Sequence, residues 1–262
     1  MARAPTLRKR EIAFALAMGA VAAGGAALII DGLGEESGDR REVRVVVSGR
    51  TSQEVAPFTK IATFGPHNVV ITQGEGYSVR GQGSPAALAR LEAVVEDGEL
   101  FIRPKAGFRG GFGGPRAEAA TYFITVPRLE GISLAGSGDV RIDRVRGGDF
   151  EAVIAGAGDL HIADLRVDDL EVSIVGAGSV EASGEADDTT ISIGGSGTVR
   201  ASALRSKDAA IRIGGSGDVA LAVSEEAEVA IMGSGDVDIA GTTKCSVSRM
   251  GSGDVRCDDR EF

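Results

Sequence analysis

The sequence predicts an all-β chain wound as a single β-solenoid (a β-helix) with about 18–20 residues per coil, preceded by one N-terminal hydrophobic helix. Three observations predict it. A short turn motif, Gly-Ser-Gly-Asp-Val or a close variant, begins at Gly136, Gly156, Gly176, Gly195, Gly215, Gly233 and Gly251, at steps of 20, 20, 19, 20, 18 and 18 residues. Apolar residues alternate with period two on both sides of each turn, which is the strand signature. The first 34 residues differ from the rest, with a basic start and a long uncharged run.

The N-terminal run spans Ile12 to Ile30, 19 uncharged and mainly apolar positions, with Arg8-Lys9-Arg10 before it and Asp31 after it. As a helix it would cover about 28 Å, close to the hydrocarbon thickness of a bilayer. Two readings lead, and a buried soluble helix is a third. Residues 1–34 are an uncleaved signal anchor, or a signal peptide cut near Ala22-Ala23-Gly24. Both leave the basic end in the cytoplasm and export the body. The expectation is an inner membrane-anchored protein with its body in the periplasm, or a secreted or periplasmic one if the segment is cleaved. Residues 35–55 read as a linker, 56–130 as the irregular β N-terminal part of the solenoid, and 131–262 as regular coils.

In the irregular part, Val69–Thr72, Tyr77–Arg80 and Tyr122–Pro127 read as strands. Ser84-Pro85 opens a short helix over Ala86–Leu91, with serine capping and proline in the first turn. Val94–Ile102 reads as a hairpin around Asp97-Gly98. Gly107–Gly114 is a glycine-rich flexible connection or a binding loop that exposes Phe108 and Phe112; no Gly-Lys-Ser/Thr follows it, so it is not a phosphate loop. The aromatic residues of this part would cap the thin solenoid and widen the surface it offers.

In the regular part, the residue two before the first glycine is Leu134, Ile154, Ile174, Ile193, Ile213, Ile231 and then Arg249. Four after it stand Val140, Leu160, Val180, Val199, Val219, Val237 and Val255. Each repeat is therefore predicted as two short strands meeting at a glycine corner. One repeat cannot bury its own apolar side, so the repeats stack at about 4.8 Å per coil. A core this thin has little room for Trp, and the chain has none. Arg249 and the terminal Asp258-Asp259-Arg260-Glu261 read as a cap that keeps the last coil from pairing.

The charge balance is 28 basic against 38 acidic residues, a net −10. Nucleic acid is excluded as a partner, because a basic footprint is missing. His67, His161, Cys245 and Cys257 do not form a zinc-ligand spacing. Cys245 and Cys257 lie six before and six after Gly251, at inward positions; export would allow a disulfide, and two buried thiols fit equally. Asp139, Asp159, Asp218, Asp236 and Asp254 follow the second glycine of their turns. Stacked carboxylates would invite Ca²⁺, whereas Asp is also an ordinary turn residue. A period near twenty argues against the nonapeptide calcium roll.

The order Phe58-Thr59-Lys60-Ile61, Val69–Gly74, Asp97–Ile102, Ile124-Thr125-Val126-Pro127 and then repeated Gly-Ser-Gly-Asp-Val resembles the putative auto-transporter adhesin, head GIN domain family, over residues 55–262. The resemblance implies an exported bacterial β-solenoid and brings no catalytic residues with it. The expected function is a non-enzymatic cell-envelope module for adhesion or interaction. Its partner would be an unidentified protein or glycan, and its N-terminal helix would meet the membrane. No catalytic, cofactor-binding or metal residue is assigned. Two alternatives remain: a polysaccharide-active solenoid enzyme, and a Ca²⁺-dependent structural module.

Overall fold

Period-two alternation around glycine corners produces the coils directly. The computed structural model describes residues 55–105, 120–258 and 260–262. The hydrophobic N-terminal segment, nearly all of the linker and the Gly107–Gly114 connection lie outside the described residues. Among the described residues, no helix is long and apolar enough to cross a membrane.

The early elements are β1 (Lys60–Gly65), β2 (Asn68–Gln73), β3 (Ser78–Gln82), α1 (Pro85–Ala89), β4 (Leu91–Glu96), β5 (Glu99–Pro104) and β6 (Thr121–Val126). The coils continue with β7 (Gly131–Gly136), β8 (Val140–Ile142), β9 (Val145–Arg146), β10 (Asp149–Gly156), β11 (Asp159–Gly176), β12 (Ser179–Gly195), β13 (Thr198–Gly215) and β14 (Asp218–Gly233). The last elements are β15 (Val237–Ala240), β16 (Cys245–Gly251), β17 (Val255–Cys257) and β18 (Arg260–Glu261).

Successive coils pair in parallel and in register. On the first face β7, β10, the second halves of β11 to β14, and β16 stack so that Gly136, Gly156, Gly176, Gly195, Gly215, Gly233 and Gly251 lie in one row. On the second face β8, the first halves of β11 to β14, β15 and β17 stack likewise. A short third side joins them, with Val145, Leu165 and Gly184 in register. The predicted unit of two short strands is thus corrected. β11 to β14 run 16 to 18 residues each, bending through a corner without losing their pairing.

The predicted inward rows form the core: Leu134, Ile154, Ile174, Ile193, Ile213 and Ile231 are buried, as are Val140, Leu160, Val180, Val199, Val219, Val237 and Val255. At the corners the backbones touch. Gly176 has φ +127, and a Cβ there would stand 2.3 Å from the Gly156 carbonyl oxygen. Only glycine satisfies both the positive φ and that approach.

The start of the solenoid departs from sequence order. β1 lies between β5 and β7, and β2 between β6 and β8. The first described coil is therefore inserted between two later ones. Gly65, φ +112, joins the glycine row opposite Gly136 and is an eighth corner that the motif did not reveal. The outer coil of β5 and β6 is closed by antiparallel β4 and β3. Asp97 (φ +51) and Gly98 (φ +79) make the predicted hairpin turn. The helix is shorter than Ala86–Leu91, because Leu91 already begins β4. The Ser84 hydroxyl accepts its Ala87 N–H at 3.2 Å, as the cap predicts.

At the other end β18 folds back antiparallel on β17. Cys245 and Cys257 form a disulfide across the last coil, Cα–Cα 6.6 Å. The Arg249 guanidinium donates to the Gly253 carbonyl and lies 3.6 Å from the Asp254 carboxylate. It bridges the open end of the core where the six earlier coils place Leu or Ile.

Candidate interaction surface

Strand alternation sends every second residue outward, so register stacks those residues into surface rows. On the first face Val175, Gly194, Gly214, Met232 and Met250 occupy one row. Beside it run Ser173, Ser192, Arg212, Ala230 and Ser248. Together they shape a shallow groove of about 530 Å³. Val175, Met232 and Met250 are its walls, exposed to 60%, 66% and 71%. Gly194 and Gly214 are its floor.

Those two glycines are not required by the fold. A Cβ on Gly194 would meet only the Ile174 carbonyl at 3.9 Å, and one on Gly214 only the Ile193 carbonyl at 3.8 Å. Glycine inside a strand weakens it. The groove therefore exists at some expense of stability, in contrast to the corners, where glycine is obligatory.

Two acidic features lie elsewhere. On the second face Asp218, Asp236, Asp238 and Asp254 surround a depression of about 400 Å³, with Arg200 and Arg256 at its sides. At the corner leading into the first face, Asp149, Asp169, Asp188, Asp208 and Glu226 stand opposite one another on consecutive coils. This second carboxylate row was not singled out in the sequence, because it lies outside the glycine motif. Partial burial and the like charges of Asp149 and Asp188 raise the pKa of Asp169.

The turn aspartates have a local role. Asp218 Oδ1 accepts the N–H of Asp236 at 3.3 Å, and Asp236 Oδ1 that of Asp254 at 2.9 Å. Asn68 does the same for Asp139 at 3.1 Å. The Asp218 and Asp236 carboxylates and the Asn68 amide thus bond the backbone of the neighbouring coil, and Asp159 accepts the Ser179 hydroxyl there. Among the described residues, no group of three or more His, Cys, Asp or Glu side chains is placed to hold a metal ion.

The remaining candidates separate clearly. His161 is on the surface, its Nδ1 3.4 Å from Glu181 Oε2. His67 is buried, and burial lowers its pKa. Two aromatics of the N-terminal part are shielded: Arg80 lies 5.2 Å over Phe123, and Arg103 5.5 Å over Phe101. Arg103 is itself held by Glu92 at 2.8 Å and Glu96 at 2.9 Å.

These features define a parallel β-solenoid with a thin, filled interior. The chain belongs to the family described as putative auto-transporter adhesin, head GIN domain, which matches residues 57–243. The crystal structure of a putative adhesin from Bacteroides fragilis NCTC 9343 is similar at TM-score 0.70 and 26% identity, over 78% of this chain and 94% of that one. A putative lipid binding protein from Parabacteroides distasonis ATCC 8503 gives 0.62 at 20% identity, over 85% of this chain and 97% of that one. A putative adhesin from Parabacteroides merdae ATCC 43184 gives 0.61 at 16%, over 78% and 93%. The last two share the fold. No curated protein matches this chain.

Proposed function

We propose that this chain is a non-enzymatic interaction module of the cell envelope, and that the Val175–Met250 groove is its contact surface. One observation carries the reading: Gly194 and Gly214 keep the groove open although the fold has room for a side chain at both. An exposed apolar strip on a soluble face marks a place of contact. Family membership supports an exported or envelope protein. In this reading the N-terminal apolar segment anchors the chain in the inner membrane with the solenoid in the periplasm, or is cleaved and releases it. The partner is an envelope protein or a surface glycan; the acidic body speaks against nucleic acid.

The test is binding of the full-length chain to isolated envelope fractions and to a glycan array. Val175→Glu/Met232→Glu should reduce binding at least about tenfold without loss of fold, since hot-spot truncation costs on the order of 2 kcal/mol. Unchanged binding contradicts the assignment. Turnover of any glycan on the array would favour the polysaccharide-active alternative. A shift in melting temperature on adding Ca²⁺ or EDTA would favour the cation-dependent one.

A further inference from the structure

In the regular coils the residue two before the corner is large and the residue two after it is glycine, and one needs the other. A Cβ on Gly158 would stand 2.6 Å from Leu134 Cδ2, and one on Gly178 2.7 Å from Ile154 Cγ2. The large side chain fills the room that the glycine leaves.

The coil of β1 and β2 reverses this arrangement. Around its corner, Gly65, the smaller Thr63 stands two before and the large His67 two after. Both are buried, at 0% and 8% exposure. Beside His67 the neighbouring coil is small: Asn68 donates its N–H to the Ala120 carbonyl at 3.0 Å. The Tyr122 ring stands edge-on to the imidazole, centroids 6.5 Å apart. The Thr63 hydroxyl, both His67 ring nitrogens and the Tyr122 hydroxyl are buried without a hydrogen-bond partner among the described residues. A buried neutral polar group without a partner is costly, and a buried cation much more so.

We propose that the β1–β2 coil is an acid-sensitive catch, in which protonation of His67 loosens β1 and β2 from the coils on either side while the regular coils stay wound. The position suits a switch. The catch lies in the first described coil, which begins with β1. It is also the coil threaded out of sequence order, held by β5 and β6 on one side and β7 and β8 on the other.

The titratable groups around His67 do not oppose this. From β6, Tyr122 keeps its proton, because burial pushes its pKa up to about 12. From the Gly136–Asp139 corner, Asp139 follows the buried Gly138 and so lies on the outward side of the strand. β1 and β2 bring only the neutral Thr63 and Asn68 near the ring. Burial alone accounts for the lowered pKa of His67. The unfolded chain then binds a proton below about pH 6.5 that the folded coil resists, so stability falls as the pH drops through that value.

Hydrogen exchange of the full-length chain at about pH 8 and about pH 5, corrected for intrinsic rates, tests the proposal. Opening of residues 60–73 should rise about tenfold or more at the lower pH, against less than about twofold for the coils over 149–233. His67→Gln cannot take up the proton and should abolish the difference. Thr63→Ile/His67→Gly restores the regular corner and should do the same, which guards against a glutamine that fails to pack. Equal acceleration along all coils overturns the proposal. So does acid sensitivity that survives in both variants.

Discussion

Gly176 and Gly194 belong to neighbouring coils, yet the structure asks opposite things of them. Gly176→Ala drives a Cβ into the Gly156 carbonyl at positive φ. It should cost about 3 kcal/mol or more and lower the melting midpoint by roughly 5 °C or more. Gly194→Ala makes only an ordinary contact with the Ile174 carbonyl and should raise stability by about 0.5–1 kcal/mol while filling the groove floor. A stabilised Gly194→Ala chain that binds its partner unchanged would remove the groove's functional meaning. The motif displays corner glycines directly, because backbone-on-backbone contact tolerates no other residue. It does not display Gly194, which no close backbone approach requires. Gly65 was hidden as well, since His67 replaces the second glycine of its turn. The pairing of Cys245 with Cys257 was one of two open readings, and the inward geometry of the last coil brings them together.

Among the elements, the last coil and the corner carboxylate row each make a prediction. Arg249 stands on β16 where Ile231 stands on the coil below it. By spanning to Gly253 and Asp254 it puts a charge at the mouth of the core. Arg249→Ile should leave the fold intact and produce concentration-dependent growth in light scattering, because an apolar, unpaired edge invites addition. In the carboxylate row Asp169 has a raised pKa in the folded state. A raised carboxyl pKa favours folding at low pH and is lost as the pH rises through that value, so at neutral pH the row destabilises. Asp169→Asn should therefore raise the neutral-pH melting midpoint by about 1–2 °C, a gain that fades below about pH 4. Calorimetry at both pH values checks the sign. The strands of the regular part were legible because register is repeated seven times. The insertion of β1–β2 between later coils was not, because each strand alone carries only alternation, and alternation names no partner.

For the molecule as a whole, stacking turns single residues into rows, and the rows into faces. One face carries an apolar groove, the other an acidic depression, and the interior is filled with aliphatic side chains. The regular coils could be read from the sequence; the outward surface could not, because outward residues obey no packing rule that sequence alone displays. Site-specific photocrosslinking in the native host tests the central claim most directly, with the probe at Met232 and a control at His161 on the other face. We predict a discrete adduct from position 232 that is absent from position 161 and lost in Gly194→Leu/Gly214→Leu. Equal labelling from both positions, or none from 232 in correctly localised protein, would contradict the account.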